Sequence, residues 1–430
     1  MNTQHGGTGF GAAVLRKVGW RLVPFLGLLY FFAFLDRVNV GFAALTMNED
    51  IGLSAAAYGF GAGIFFIGYV MFEIPSNVIL AKVGARIWIA RIMISWGLLS
   101  ASMALVEGPT SFYVLRFLLG VAEAGFFPGI IYFLTCWFPS AYRARILGAF
   151  LFAIPLSSVL GAPLSTRLLG FEGLGLAGWQ WMFILEGLPA ALLGLAVLRW
   201  LRDRPADAEW LEPREREWLT AELARDGQAA AHHAGIGRVL ANPTVWLFGF
   251  AYFGLVIVLY AFNFWLPQIV KGLGDLTNVE VGLILMIPST LSGIAMVAWG
   301  LHSDRSGERR WHVAAPALLA AVALAASAML QGTPIVAFLV LIIGGIGTFC
   351  ALPAFWTLPA ALLTGPAAAA GIALVNSIGN VGGFVGPAII GYFKQTTGSY
   401  AAAYWALAVA SAAAALIVLA ATRSRAEKTS

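Results

Sequence analysis

The apolar residues of this chain neither alternate nor keep to one helical face. They run on. From Val18 to Leu35 few polar side chains interrupt, and eleven further runs of similar character follow. A helix needs about 20 apolar residues to cross a hydrocarbon core. The runs therefore predict twelve transmembrane helices at roughly 18–45, 58–83, 86–107, 110–137, 142–170, 180–200, 242–270, 278–303, 311–331, 334–362, 366–393 and 398–422. The first run is too long for a signal peptide and lacks a convincing cleavage site, so it reads as a retained helix.

One long polar segment, 201–241, divides the spans six and six. The expected organisation is a disordered N-terminus (1–17), a first six-helix bundle (18–200), a linker (201–241), a second six-helix bundle (242–422) and a short tail (423–430). Within the linker, Pro213 follows Glu212 at a helix start. Trp218, Leu219 and Leu223 then place apolar groups on one face, as in a short helix lying on a membrane surface. The halves echo each other weakly: a basic, glycine-containing loop with Lys82 and Arg86 follows the second span, and Gly300–Arg310 follows the eighth. In proteins built from such repeats the ligand site lies between the halves near the midplane.

Composition agrees. The chain is 60% hydrophobic and 11% charged, with mean hydropathy +0.83, whereas soluble domains are about 25% charged. Its pI of 9.3 could point to nucleic acid, but the distribution of charge excludes that. Of 26 Lys and Arg residues, 21 fall in the termini, the linker and alternate loops, against 3 (Arg167, Lys271, Lys394) in the remaining loops. This bias predicts both termini in the cytoplasm of a multi-pass inner-membrane protein, its positive charge facing anionic headgroups. Cys136 and Cys350 both fall in or beside apolar runs and read as small buried hydrophobes. No cluster has metal-ligand spacing and no nucleophile–base pair is visible, so neither an enzyme nor a cofactor is expected.

The charged residues inside the predicted spans are few: Asp36, Arg37, Glu73, Arg116, Glu123 and Glu186. Each costs about 2.5–3.5 kcal/mol at the centre of a bilayer on insertion scales. Arg116 and Glu123 are seven residues apart and share a face, and Asp36 and Arg37, with Asn39 beside them, overlap them in depth. Two acids with two bases can be neutral together, which is the cheapest way to hold charge in lipid. One reading is an architectural ion-pair network. The other is a proton and anion site, in which an arginine leaves an acid for a substrate carboxylate and thereby changes whether the acid holds a proton. Tyr69 and Glu73 share a face of span 2, with Glu73 close enough to the inner end to latch or cap the inner loop. Glu186 reads as a structural partner of an inner loop. The second half offers Tyr260, Asn263, Trp265 and Gln268, then Phe355 and Trp356, then Asn376, Ser377 and Asn380. Aromatics with amides suit a carbon skeleton bearing hydroxyls or a ring.

At these residues the chain resembles the major facilitator superfamily and, within it, the anion:cation symporters. The matching segments are Phe34–Ala43, Phe72–Asn77, Arg116–Gly129, Ser303-Asp304-Arg305 and Asn376–Asn380. The resemblance implies an all-α fold of twelve transmembrane helices in two six-helix bundles, and proton-coupled import of an organic anion such as tartrate or an aromatic carboxylate. The proton is then the coupling ion, and the partners are a small organic acid and the bilayer, for a monomer. Asp36 and Glu123 would handle protons, Arg37 would bind the anion, Arg116 would be a charge partner, and Asn39, Tyr69, Trp356 and Asn376 would line the site. Glu73, Arg86, Asp304 and Arg305 would serve the gate or inner loops. Ile154 stands where sugar-acid carriers tend to have an amide, which disfavours a sugar acid. Two alternatives remain: a proton antiporter exporting amphipathic compounds, and a non-transporting membrane sensor.

Overall fold

The computed structural model describes residues 6–229, 242–362 and 366–426. Twelve of its helices are long and apolar enough to cross a membrane: Gly9–Ala43, Ala55–Val83, Ala85–Leu105, Pro109–Thr135, Ser140–Leu168, Gly178–Trp200, Pro243–Lys271, Asn278–Ser306, Arg310–Met329, Pro334–Pro359, Gly371–Thr397 and Ala401–Thr422, here spans 1 to 12. Lipid offers backbone amides no partner, so each span satisfies its own amides as a helix. Capping residues mark where several begin. Ser54 Oγ accepts from Ala57 N at 3.1 Å ahead of span 2. Asn242 Oδ1 accepts from Thr244 N at 3.0 Å at span 7. Thr277 and Glu280 form a reciprocal box at span 8.

Spans 1–6 and 7–12 form two six-helix bundles. The broadest packing between them pairs span 2 with span 11 and span 5 with span 8. The two ends of the molecule differ. Lys82, Arg86, Arg143, Arg305 and Arg309 collect at the end where spans 2, 4 and 8 finish, called here the basic end. At the opposite end the bundles meet backbone to backbone. A Cβ added at Gly59 would lie 2.5 Å from the Pro387 carbonyl oxygen, and one at Gly41 would lie 2.8 Å from that of Asn263. Tyr58 Oη donates to the Phe264 carbonyl at 2.8 Å across the same seam.

The N-terminus departs from expectation. The first helix starts at Gly6, where disorder is expected over 1–17. Its early turns have a partner that composition does not reveal, the linker helix Pro213–Ala229. Phe10 meets Trp218 edge to face, Lys17 pairs with Glu215 at 2.7 Å, and Val14 is buried. The linker helix is also tied to span 5, where Ser140 Oγ donates to Asp226 at 2.5 Å and Arg143 pairs with the same carboxylate at 2.8 Å. The Ser140 hydroxyl bond, helped by Arg143, holds the Asp226 carboxyl below the usual aspartate range. Residues 230–241, the rest of the linker, and 427–430, the end of the tail, lie outside the described residues. Cys136 and Cys350 are free thiols.

Candidate functional site

Span 4 is broken where the site needs it to be. Its first segment, Pro109–Glu123, ends at Glu123, and a second, Phe126–Thr135, begins after Gly125. Gly125 has φ +86°, a left-handed conformation that glycine adopts without Cβ strain. Ser76 Oγ from span 2 donates to the Ala124 carbonyl at 2.6 Å and so satisfies an oxygen that the break frees. Such breaks survive in membranes where neighbouring helices re-satisfy the backbone. Glu123 thus sits at a helix C-terminus, where the peptide dipoles disfavour an anion, and it is fully buried.

Arg37 answers that charge. Its Nη2 donates to Glu123 Oε1, and its Nη1 donates to Tyr260 Oη of span 7 at 3.2 Å. The guanidinium also lies 5.4 Å from the Tyr69 ring centre and 5.6 Å from that of Phe65, within reach of a cation–π attraction. One arginine therefore links spans 1 and 4 of the first bundle to span 7 of the second. Glu123 Oε2 has no protein donor among the described residues.

Asp36 is the next residue along span 1, yet its surroundings are different. Trp96 Nε1 and Ser100 Oγ of span 3 donate to its two oxygens, and Asn39 Nδ2 adds a bond at 3.1 Å. All three donors are neutral. Arg116 lies deep in the same bundle, fully buried. It forms no direct salt bridge among the described residues, and Asp36 is the acid whose charge acts most strongly on it through space. Its Nη2 donates to the Ala62 carbonyl at 3.0 Å, and the guanidinium lies 5.1 Å from the Phe65 ring centre. The physical reason is axial. Seven residues put Arg116 about 10.5 Å from Glu123 along the helix, while Arg37 approaches Glu123 from the side.

Two other acids are also not where sequence reasoning puts them. Among the described residues Glu73 meets the other bundle rather than an inner loop. Its Oε1 accepts from Asn376 Nδ2 at 2.9 Å and its Oε2 from Ser377 Oγ at 3.1 Å, both on span 11 of the other bundle. Glu186 lies eight residues into span 6 from the end opposite the basic one, where Ser165 Oγ of span 5 donates to it at 2.6 Å. It is likewise no partner of an inner loop.

The remaining candidates are more dispersed. Trp356 packs on Tyr252 and Phe355 within the second bundle, with ring centres 4.7 and 5.6 Å away. Arg86 N donates to Asp203 Oδ1 at 2.8 Å at the start of span 3, Asp304 pairs with Arg309 at 2.6 Å, and Arg305 is exposed. These three lie in the terminal turns of spans 3 and 8 at the basic end and stand apart from the buried polar group. A cavity of ≈ 70 Å³ opens between spans 5, 7, 8 and 10, lined by Ile154, Ser158, Asn263, Ser289 and Ser292 among others. Its polar lining is neutral and its walls do not include the Arg37–Glu123 pair.

Trp96 and Ser100 were not singled out from sequence. A tryptophan in an apolar run reads as packing, although its N–H must find an acceptor when buried. The i, i+4 spacing of Trp96 and Ser100 was the available signal.

The profile described as Major Facilitator Superfamily matches residues 26–387 and 275–430. The chain is 55% identical to "Putative tartrate transporter" of Agrobacterium vitis over 90% of its own length and 87% of its relative's. It is 42% identical to "Quinolone resistance transporter" of Acinetobacter baumannii over 93% of each. Among solved structures it superposes on the inward-open xylose transporter XylE of E. coli with TM-score 0.74, covering 94% of this chain and 96% of that one. At 16% identity that likeness speaks to the fold alone.

Proposed function

The chain belongs to the major facilitator superfamily, and on that premise we propose that it imports a small organic anion with protons by alternating access. The substrate class is a hydroxy-dicarboxylate such as tartrate, or an aromatic carboxylate. The observation that carries this reading is the buried Arg37–Glu123 pair, which touches the second bundle through Tyr260. A guanidinium fork fits a carboxylate, so a substrate anion competes with Glu123 for Arg37. Once displaced, Glu123 is a bare charge in a dry site at a helix C-terminus. Taking a proton there costs less than remaining ionised. One carboxylate on Arg37 and one proton on Glu123 then cross together, and Glu123 must lose its proton before Arg37 can return to it. Asp36, held by neutral donors beside Arg37, is the second acid of the site. The similarity to a protein named as a tartrate transporter supports the choice of anion.

The distribution of Lys and Arg favours the basic end, the linker helix and both termini in the cytoplasm, in the inner membrane. Labelling of a single cysteine placed at Gln228 should require permeabilised cells, and labelling from outside intact cells would reverse the orientation. Function is tested in proteoliposomes with labelled tartrate, phthalate and hydroxyphenylacetate. Accumulation of at least one acid on a pH gradient, abolished by a protonophore, is expected, and no uptake of any of them would sink the reading.

The similarity to a protein named for quinolone resistance favours one competing reading, export of amphipathic compounds by proton exchange. Everted vesicles that take up a quinolone on a proton gradient, but no acid, would establish it instead.

A further inference from the structure

Between the Arg37 group and the basic end, one carboxylate spans the seam between bundles with no cation on it. Glu73 lies ten residues before the end of span 2 and is only 3% exposed. No ion pair among the described residues includes it. Each of its two oxygens instead accepts one neutral donor from span 11, Asn376 Nδ2 at 2.9 Å and Ser377 Oγ at 3.1 Å. Asn77 Nδ2, one turn on, donates to the Glu73 carbonyl at 2.7 Å and steadies that turn. One turn back is Tyr69, whose ring faces Arg37.

We propose that the Glu73 carboxylate occupies, in the empty carrier, the donors on span 11 that receive a carboxylate of the substrate. The proposal rests on the function given above in one respect, that the transported species is a dicarboxylate such as tartrate, with one carboxylate on Arg37 and the other on span 11. An amide and a hydroxyl placed one to each oxygen make a receptor for any carboxylate, and the protein's own acid fills it. Because that acid belongs to the other bundle, the contact also holds spans 2 and 11 together on the basic-end side. Substrate binding then exchanges an anion fixed to the first bundle for one that can leave. The empty carrier is latched and the loaded one is not. The latched fraction lowers apparent affinity, since a ligand that needs the released state sees only the share of molecules in it.

The test uses the purified full-length carrier, with Glu73→Ala and Glu73→Gln, each alone and combined with Asn376→Ala. Without ligand, amide hydrogen exchange at 74–83 and 371–377 should be faster in Glu73→Ala than in the wild type. Glu73→Gln should fall between, because its NH₂ faces one of the two donors. With tartrate as probe, Glu73→Ala should bind about five-fold tighter or more. That gain should vanish in the Asn376→Ala background, where the shared donor is gone. Unchanged exchange in both Glu73 variants, unchanged or weaker tartrate affinity, or a gain that survives Asn376→Ala would each overturn the proposal. If the wild type takes up no acid at all, the proposed function fails, while the ligand-free exchange comparison still decides the latch.

Discussion

The two six-helix halves share an architecture and divide the chemistry unequally. The first half buries Asp36, Arg37, Glu73, Arg116, Glu123 and Glu186, while the described residues of the second bury serines, Thr348, Asn380 and His312. To the shared polar group the second half contributes neutral partners: the Tyr260 hydroxyl accepts from Arg37, and Asn376 with Ser377 donate to Glu73. The difference teaches where coupling and selection sit. A charged pair in lipid cannot be edited one partner at a time, because removing one leaves the other exposed to the full desolvation cost. Neutral donors can be exchanged for about 1 kcal/mol each. A half built of such neutral partners can change its ligand while the other keeps its ionic machinery.

If the comparison holds, the largest effect comes from Arg37→Lys. The ammonium keeps the charge but lacks the fork that meets Glu123 and Tyr260 together. Proton-driven uptake should fall about 100-fold, as for the loss of about 3 kcal/mol from a buried pair. Wild-type rate and affinity in variant vesicles would remove Arg37 from the site. Next comes Glu123→Gln, which keeps the shape and cannot release a proton. Accumulation on a pH gradient should be lost while exchange of external for internal substrate persists. An architectural role would lower both together, and wild-type accumulation would end the proton assignment.

Gly59→Val probes the seam rather than either half. Its Cβ would meet the Pro387 oxygen at 2.5 Å, so the end opposite the basic one should fail to close. Uptake is expected to drop about ten-fold, for overpacking of about 1–3 kcal/mol, with faster external thiol labelling of a cysteine at Ala55. Unchanged labelling would mean that the backbones part without cost. The smallest effect should follow from Tyr260→Phe. Loss of one hydrogen bond to a charged group, roughly 1.5 kcal/mol, should raise KM about ten-fold and leave coupling to protons intact. A loss of coupling would show that the second half is not confined to neutral recognition.

The sequence made the spans legible because apolar length is a property of each segment alone. All twelve expected runs overlap the twelve observed helices. It also singled out the acids and arginines, since charge in an apolar run is conspicuous. It could not say who meets whom. Spacing gives depth along a helix, whereas partners depend on how each helix is rotated against its neighbours. Arg116 and Glu123 share a face and do not pair. Arg37 and Glu123, 86 positions apart, do. Asp36 needed Trp96 and Ser100, whose polar atoms are hidden in residues that read as packing. Nothing near Glu73 in sequence points to Asn376 and Ser377, which lie 303 and 304 positions away. Order at the N-terminus was missed for the same reason: the partner of Phe10 is Trp218, in a segment read as a separate surface helix.

The docked linker helix has a mechanical consequence. Lys17, Ser140 and Arg143 fasten it to the first half, so the described part of the linker moves with that half as one body. A label on Pro213–Ala229 therefore reports the attitude of the first half when the bundles rock.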